Sequence, residues 1–494
     1  MKLFHVLGAL HIVGGAQAAK DHVVASLAED YYGSSRTDDL LLGGAQNGGW
    51  CGLHVHDDDS SHCHGENSVE YHAAGDASAN SQPQPSGEDD EAAIEEASRL
   101  WPISTPCAPN GTRAYCVYTH PGFASGRGIS ILTSARTAIA IAKSVAFSAY
   151  FTGEPAEEEQ QEEQRGFLLN LGEDESSPLW RVQEMPGKGK GLIAQRNLEA
   201  GDHIMSTTPS VMIDYNLFTD LAEADELMAL QVAAVEGGLS DAHRGIFMAL
   251  STHDDDFADH AERVSKIIHT NSFDITLDGI VPKNDEGVDE NFYTVFPEIS
   301  RMNHDCRPNA EYYFDPATFA QHVHAARPIA AGEEITISYI DPIQTRQDRL
   351  DRLDNSWHFP CSCSACMQNR DMTAASDARI HQILEIRKQL REWAPSSQAT
   401  PAMAELMISL YEQERLWTML YEAYTYAAIE YNGAGEPWAA TKYARLAVQR
   451  GLASGGPNHS DVHEMEALAR NPWEHWSWML RTRKRMNWEP HAVS

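Results

Sequence analysis

The chain has 494 residues, more than one hydrophobic core accommodates, so roughly two to four domains are expected. Its 42% apolar content suits a globular protein, and no apolar run reaches the ~20 residues that a membrane-spanning helix needs. A net charge of −35 argues against general nucleic-acid binding, which requires Lys and Arg in excess; an acidic enzyme can attract a basic protein tail, and the alternative is that much of this charge sits in disordered linkers.

Met1 to Ala18 reads as a signal-peptide-like segment: Lys2, an apolar stretch from Leu3 to Val13 interrupted by His5 and His11, then Ala16-Gln17-Ala18 as a small-residue cleavage pattern. Residues 19–100 read as low-complexity, disordered sequence rich in Gly, Ser, Asp and His. Within them His54, His56, His62, Cys63 and His64 surround Asp57-Asp58-Asp59, a composition that catches metals adventitiously.

Residues 101–150 form a small N-terminal module in this reading. Tyr115 to Tyr118 and Ile129 to Leu132 are strands, with a Gly126-Arg127-Gly128 turn before the second. Thr133 to Phe147 has helical apolar spacing, with Thr133 or Ser134 as N-cap. Of the upstream cysteines Cys51, Cys63, Cys107 and Cys116, the last two make the better disulfide pair, because Pro109-Asn110-Gly111 between them reads as a turn. Free thiols in a reducing compartment are the alternative. Residues 151–177 are an acidic linker.

Leu179 to Val182 is a short strand. Gly189 to Ala194 then satisfies G-x-G-x-x-A, a dinucleotide-binding fingerprint, but that fingerprint must open a helix. The next turn signal, Glu199-Ala200-Gly201-Asp202, arrives after only a short extended run. A tight glycine turn between strands, close to a ligand, is the reading that survives.

Residues 219–268 read as two or three amphipathic helices, carried by Leu221, Leu227, Leu230 and Val235, by Ile246 and Leu250, and by Val264, Ile267 and Ile268. Phe292 to Phe296 is a strand; Ala310 to Phe314 and Gln321 to Ala325 are a strand pair about Asp315-Pro316. Arg346 to Leu353 is a short charged helix. Residues 371–494 form a helical C-terminal domain, in which segments 417–431 and 437–452 have the size of a tetratricopeptide pair.

The chemistry concentrates between Asn303 and Cys366. Asn303-His304-Asp305-Cys306-Arg307-Pro308-Asn309 is followed by Gly332-Glu333-Glu334-Ile335-Thr336-Ile337-Ser338-Tyr339, then by Cys361-Ser362-Cys363-Ser364-Ala365-Cys366. The last is a C-x-C-x-x-C knuckle, one thiol short of a closed zinc shell. Cys306 is the one other cysteine in the C-terminal two thirds, and as fourth ligand it would trap Tyr339 near Asn303 and His304.

These three segments resemble the SET domain of protein lysine methyltransferases with a post-SET zinc segment, most nearly the SET-and-MYND-like branch. The resemblance implies an α+β fold: a SET domain over 178–341 with a helical insertion at 219–268, a zinc-bound post-SET segment over 342–370, and the all-α, tetratricopeptide-like domain behind it. No cysteine falls between Cys116 and Cys306, so a MYND zinc module is not expected in that interval.

By the same resemblance S-adenosylmethionine is the cofactor, contacted by Gly189, Lys190, Gly191, Asn271, Asn303, His304 and Phe359. Tyr339 is the catalytic residue. A structural Zn2+ is held by Cys306, Cys361, Cys363 and Cys366. The implied partner is a lysine-containing protein substrate, such as a histone. The alternative is a catalytically inactive SET-fold interaction module, secreted if residues 1–18 act as a signal. Thiolate zinc and the methyl donor suit the nucleus or cytoplasm, whereas residues 1–18 point to a secretory route, so the sequence leaves location open.

Overall fold

The structure, a computed structural model, describes residues 87–110, 113–151, 178–220, 224–252, 256–282 and 291–486. The signal-like segment, the histidine-rich stretch with Cys51 and Cys63, and the acidic linker 152–177 lie outside the described residues. Helix α1, Gly87–Leu100, falls within the stretch read as low-complexity; its Ala97 is buried, and Trp101 just beyond it donates to the Ala138 carbonyl at 3.1 Å.

Thirteen strands of the described residues form three sheets. The largest has six, in the order β1-β2-β3-β7-β9-β8: β1 Ile103–Asn110, β2 Arg113–His120, β3 Ile129–Ser134, β7 Val211–Asp214, β9 Asn291–Val295 and β8 Ser272–Thr276. Prolines 106 and 109 confine β1 to the sheet edge. Cys107 and Cys116 face each other in register across β1 and β2 and are joined as a disulfide.

Strand β3 pairs in parallel with β7, Ser130 to Leu132 against Val211 to Ile213, so residues 101–150 are built into the sheet rather than standing apart. The turn before β3 requires glycine. Gly128 has φ +85°, and a Cβ there would lie 1.9 Å from the Gly238 carbonyl oxygen. The following helix α2, Ala135–Lys143, is capped by Ser134, which accepts from the Thr137 amide. It stops at Ser144, and a single turn, Val145–Ser148, restarts there, so the long helix expected to Phe147 is broken in two.

The second sheet has the order β10-β13-β5-β4: β10 Asn303–His304, β13 Glu334–Ile337, β5 Gly189–Ala194 and β4 Trp180–Met185. Strands β4 and β5 pair antiparallel about Pro186-Gly187-Lys188, so the G-x-G-x-x-A segment is a strand and no crossover helix follows it. The third sheet is β11 Ala310–Asp315, β12 Ala320–Ala325 and β6 His203–Thr207. The insertion supplies α3 Ala224–Gly238, α4 Asp241–Met248 and α5 His260–Asn271.

After β13 come α6 Arg346–Trp357, the cysteine knuckle, and α7 Arg370–Arg391, α8 Pro401–Gln413, α9 Leu420–Ala434, α10 Pro437–Ser454, α11 Ser460–Arg470 and α12 Leu480–Arg485. Helices α7 to α12 bury a core of their own around Ile383, Met407, Tyr411, Tyr426 and Met465. This domain meets the third sheet where Arg450 donates to the Ala326 carbonyl at 2.9 Å.

Candidate active site and zinc centre

The two-residue strand β10 runs parallel to β13, pairing Asn303 with Thr336 and His304 with Ile337. So short a strand is held by side chains. Asn309 donates to the Glu333 carboxylate at 3.0 Å and to the Glu334 carbonyl at 2.8 Å, while its Oδ1 accepts from the Thr336 amide at 2.8 Å. One buried amide therefore staples the first motif to the second.

The glycine turn packs on the same staple. Asn303 Nδ2 donates to Glu334 Oε1 at 2.8 Å, and Lys188 Nζ bridges to Glu334 Oε2 at 3.0 Å. A Cβ on Gly191 would come within 2.8 Å of Asn303 Nδ2, Glu334 Oε1 and Met185 Cγ. Only glycine lets β5 approach this closely.

A cleft of about 530 Å³ opens between these segments, within the range of small-molecule sites. Gly189, Lys190, Asn271, Asn303, His304, Tyr339 and Phe359 all line it. Gly191 does not; it lies behind the wall and supports Asn303. Asn271, at the end of α5, commits its Nδ2 to the carbonyls of Ser251 and Ile267 at 2.8 and 2.7 Å. The Phe359 ring stands edge-on to Tyr339, 89° between planes and 6.5 Å between centroids.

Tyr339 and His304 are locked to each other. The Tyr339 amide donates to His304 Nδ1 at 3.0 Å, which places the ring proton on Nε2, 3.2 Å from Cys306 Sγ. Burial pushes the His304 pKa down to about 3, so the imidazole is neutral. Both ring nitrogens are used inside the protein, which leaves the backbone of His304 to meet a ligand. The Tyr339 hydroxyl donates to the Met302 carbonyl at 2.8 Å, and burial, with Glu334 and Tyr312 nearby, raises its pKa well above the ordinary phenol range.

The four cysteines are buried and their ligand atoms lie within 4.8 Å of one another. Cys306 Sγ is 3.9 Å from Cys361 Sγ and 3.5 Å from Cys366 Sγ, bracketing the ~3.8 Å edge of a tetrahedron with Zn–S bonds of ~2.3 Å. Contact with the other three sulfurs pushes the Cys306 thiol up, a penalty that a bound dication removes. Four thiolates on Zn2+ leave two negative charges, and the fully buried Arg349 guanidinium sits against Cys306 and Cys366. Burial alone would lower the Arg349 pKa; the two sulfurs outweigh it and hold it above its ordinary value. The residues fit a closed structural zinc.

Sequence reasoning did not single out Asn309, Glu334, Arg349, Trp357 or Tyr312. The first two were visible within the quoted motifs, but their side-chain roles depend on pairings across 24 to 31 positions. Trp357 and Tyr312 line the cleft, and Trp357 packs 5.4 Å from the Tyr339 ring.

Residues 189–340 match the family described as the SET domain. Among the chain's relatives are proteins named as lysine methyltransferases. Histone-lysine N-methyltransferase set5 of Schizosaccharomyces pombe is 28% identical over 206 residues, 42% of this chain and 56% of the relative. N-lysine methyltransferase SMYD2-B of Xenopus laevis is 32% identical over 145 residues, 29% of this chain and 31% of the relative. SMYD2 of Gallus gallus is 41% identical over 78 residues, 16% and 17% of the two chains. The matched region thus spans little more than half of the first relative and under a third of the others.

Proposed function

We propose that this chain is an S-adenosylmethionine-dependent methyltransferase acting on lysine side chains of proteins. One observation carries the reading: Tyr339 lines the cleft with its hydroxyl proton committed to the Met302 carbonyl. A phenol held in this way keeps oxygen lone pairs free while its proton stays in place.

The cofactor supplies a sulfonium-bound methyl group, and the acceptor must be a neutral amine in line with it, about 3–3.5 Å away. The backbone of Gly189, Lys190 and His304, with Asn271 and Asn303, would hold the cofactor, and Phe359 offers a ring face for its adenine. Tyr339 orients the lysine nitrogen and sits beside the methyl as charge redistributes. With its proton held by the Met302 carbonyl and its pKa raised by burial, Tyr339 stays a phenol and is not assigned as a strong base. The substrate ammonium loses its proton to water instead, helped by desolvation among Tyr339, Trp357 and Tyr312. Zinc plays no part in the transfer; Cys306, Cys361, Cys363 and Cys366 would use it to fasten the cleft wall.

The fission-yeast relative is named for histone lysine, so histones are the first substrates to try. The competing reading, an inactive interaction module, loses ground because Asn303, His304, Tyr339 and all four cysteines are present and assembled. A methylation assay with labelled cofactor on histones and total protein extract, alongside calorimetry with the cofactor, tests the proposal. Labelled lysine in protein supports it; no cofactor binding and no label would end it. Mapping the mature amino terminus decides between a secretory route and a reducing compartment.

A further inference from the structure

The loop that carries Asn303 and His304 is gripped from the far domain. Arg307 is buried and donates from NH1 to the carbonyls of Cys306 at 2.7 Å and Pro342 at 3.1 Å. Its NH2 meets Glu414 Oε2 at 2.9 Å, an ion pair with both side chains nearly sealed from solvent. Glu414 caps the end of α8, 107 positions further along the chain. Its other oxygen takes Arg379 Nε at 2.6 Å, and Ser376 Oγ donates to Oε2 at 2.6 Å, so the carboxylate is fixed in one orientation. The neighbouring Arg415 reaches the cysteine knuckle, donating to Ser364 Oγ at 3.2 Å.

The placement of Arg307 is the informative part. Cys306 is the proposed zinc ligand that also accepts from His304, and Pro342 lies three residues beyond Tyr339. One guanidinium therefore clamps the segment before the catalytic tyrosine to the segment after it. Stability alone does not call for this device, because a buried ion pair is on average no better than well-packed apolar residues of the same volume. It does fix a geometry, and displacing a reacting group by about 1 Å costs on the order of 100-fold in rate.

We infer that Arg307, held by Glu414 of the C-terminal domain, is a positioning residue for Tyr339, so that the helical domain completes the catalytic centre. The inference rests on the methyltransferase reading for its kinetic consequence. Its structural consequence is independent of that reading.

The test uses the full chain and two variants, Glu414→Gln and the double change Arg307→Met with Glu414→Gln. The single change leaves a buried arginine without its charge partner and should lower the melting temperature. The double change removes both buried charges and should recover most of it, the remaining loss being that of the partly exposed Arg379. If Arg307 positions the tyrosine, the double variant keeps its zinc and its KM for S-adenosylmethionine within about twofold, while kcat falls at least tenfold. Hydrogen exchange should then speed up in the peptide containing Tyr339, whose amide is bonded to His304. A double variant with wild-type kcat and unchanged exchange at Tyr339 overturns the inference. So does one whose kcat falls only in step with lost zinc and lost melting temperature. If the wild type methylates nothing, the functional proposal fails by itself, and exchange at Tyr339 still decides the positioning role.

Discussion

The backbone amide of Tyr339 donates to Nδ1 of His304 across 3.0 Å, and the other ring nitrogen of His304 faces Cys306 Sγ at 3.2 Å. A neutral imidazole thus joins the sulfur cluster to the tyrosine that lines the cleft. Changes at the cysteines and changes at the tyrosine should have separable effects on this arrangement.

Tyr339→Phe removes the oxygen and leaves the ring in place. Methyl transfer should fall by about 100-fold or more, in the range seen when one preorganised polar group is deleted from an active site. The lost hydrogen bond to the Met302 carbonyl should cost about 1 kcal/mol of stability. Steady-state kinetics beside cofactor calorimetry checks this. Undiminished turnover would show that the phenol has no chemical role.

Cys363→Ser should release the metal, because a site of three thiolates and one hydroxyl is no longer a closed sulfur shell. Cys361 and Cys363 line the cleft themselves, so cofactor affinity should drop about tenfold or more along with the metal. Elemental analysis should find one zinc per wild-type chain and less in the variant. Unchanged cofactor affinity after complete stripping by a chelator would separate the cluster from the binding wall.

Gly191→Ala places a methyl group 2.8 Å from Asn303 Nδ2, Glu334 Oε1 and Met185 Cγ. Two of these atoms belong to the bonded pair that orients Asn303, so the pair must part. The expected cost is about 1–3 kcal/mol in stability, with a loss of cofactor affinity on top. Gly201 has no neighbour where its Cβ would go and does not line the cleft. Gly201→Ala is therefore the control: its positive φ of 93° costs stability, and affinity should be left alone. Equal affinity losses for the two variants would contradict this account.

Acid should destabilise the fold through histidines kept neutral by burial. Burial lowers the pKa of His243 to about 4, aided by Arg127 and opposed by Glu298. It lowers that of His322, which lies between Ser206 and Thr318, to about 3, with His324 and His203 adding to the effect. Unfolded histidine titrates near 6.5, so between pH ~6.5 and ~4 the unfolded chain binds protons that the folded chain does not. Stability is complete above that window and falls as the pH drops through it, by up to about 3 kcal/mol per pH unit for the two groups together. Urea titrations at several pH values measure the slope, and His322→Asn should reduce it by the share of one group, up to about 1.4 kcal/mol per pH unit. A slope unaffected by the substitution would assign the acid sensitivity to other groups.

Much of the site was legible because its chemistry is written in short segments. The C-x-C-x-x-C spacing leaves a zinc shell one ligand short, and Cys306 was the one remaining thiol in that part of the chain. The glycine turn was separable from a dinucleotide fingerprint because a turn signal followed too soon for a helix. The helices of the C-terminal domain announced themselves through apolar stripes such as Ile380, Ile383 and Ile386, all buried. The turn between Cys107 and Cys116 made them the better pair but left free thiols open, and the cross-strand register with its disulfide decides for the pair.

What tertiary structure alone decided is who faces whom across long separations. No periodicity marks β3 as the parallel neighbour of β7, because parallel pairing depends on a crossover rather than on local pattern. The commitment of both His304 nitrogens, the support of Asn303 by Gly191, and the grip of Glu414 on Arg307 are contacts between segments 2 to 112 positions apart, each meaningful only when the chain has closed. Local spacing determines which chemical groups a segment can offer. The free energy of packing determines which of them are spent inside the protein and which are left to face a ligand.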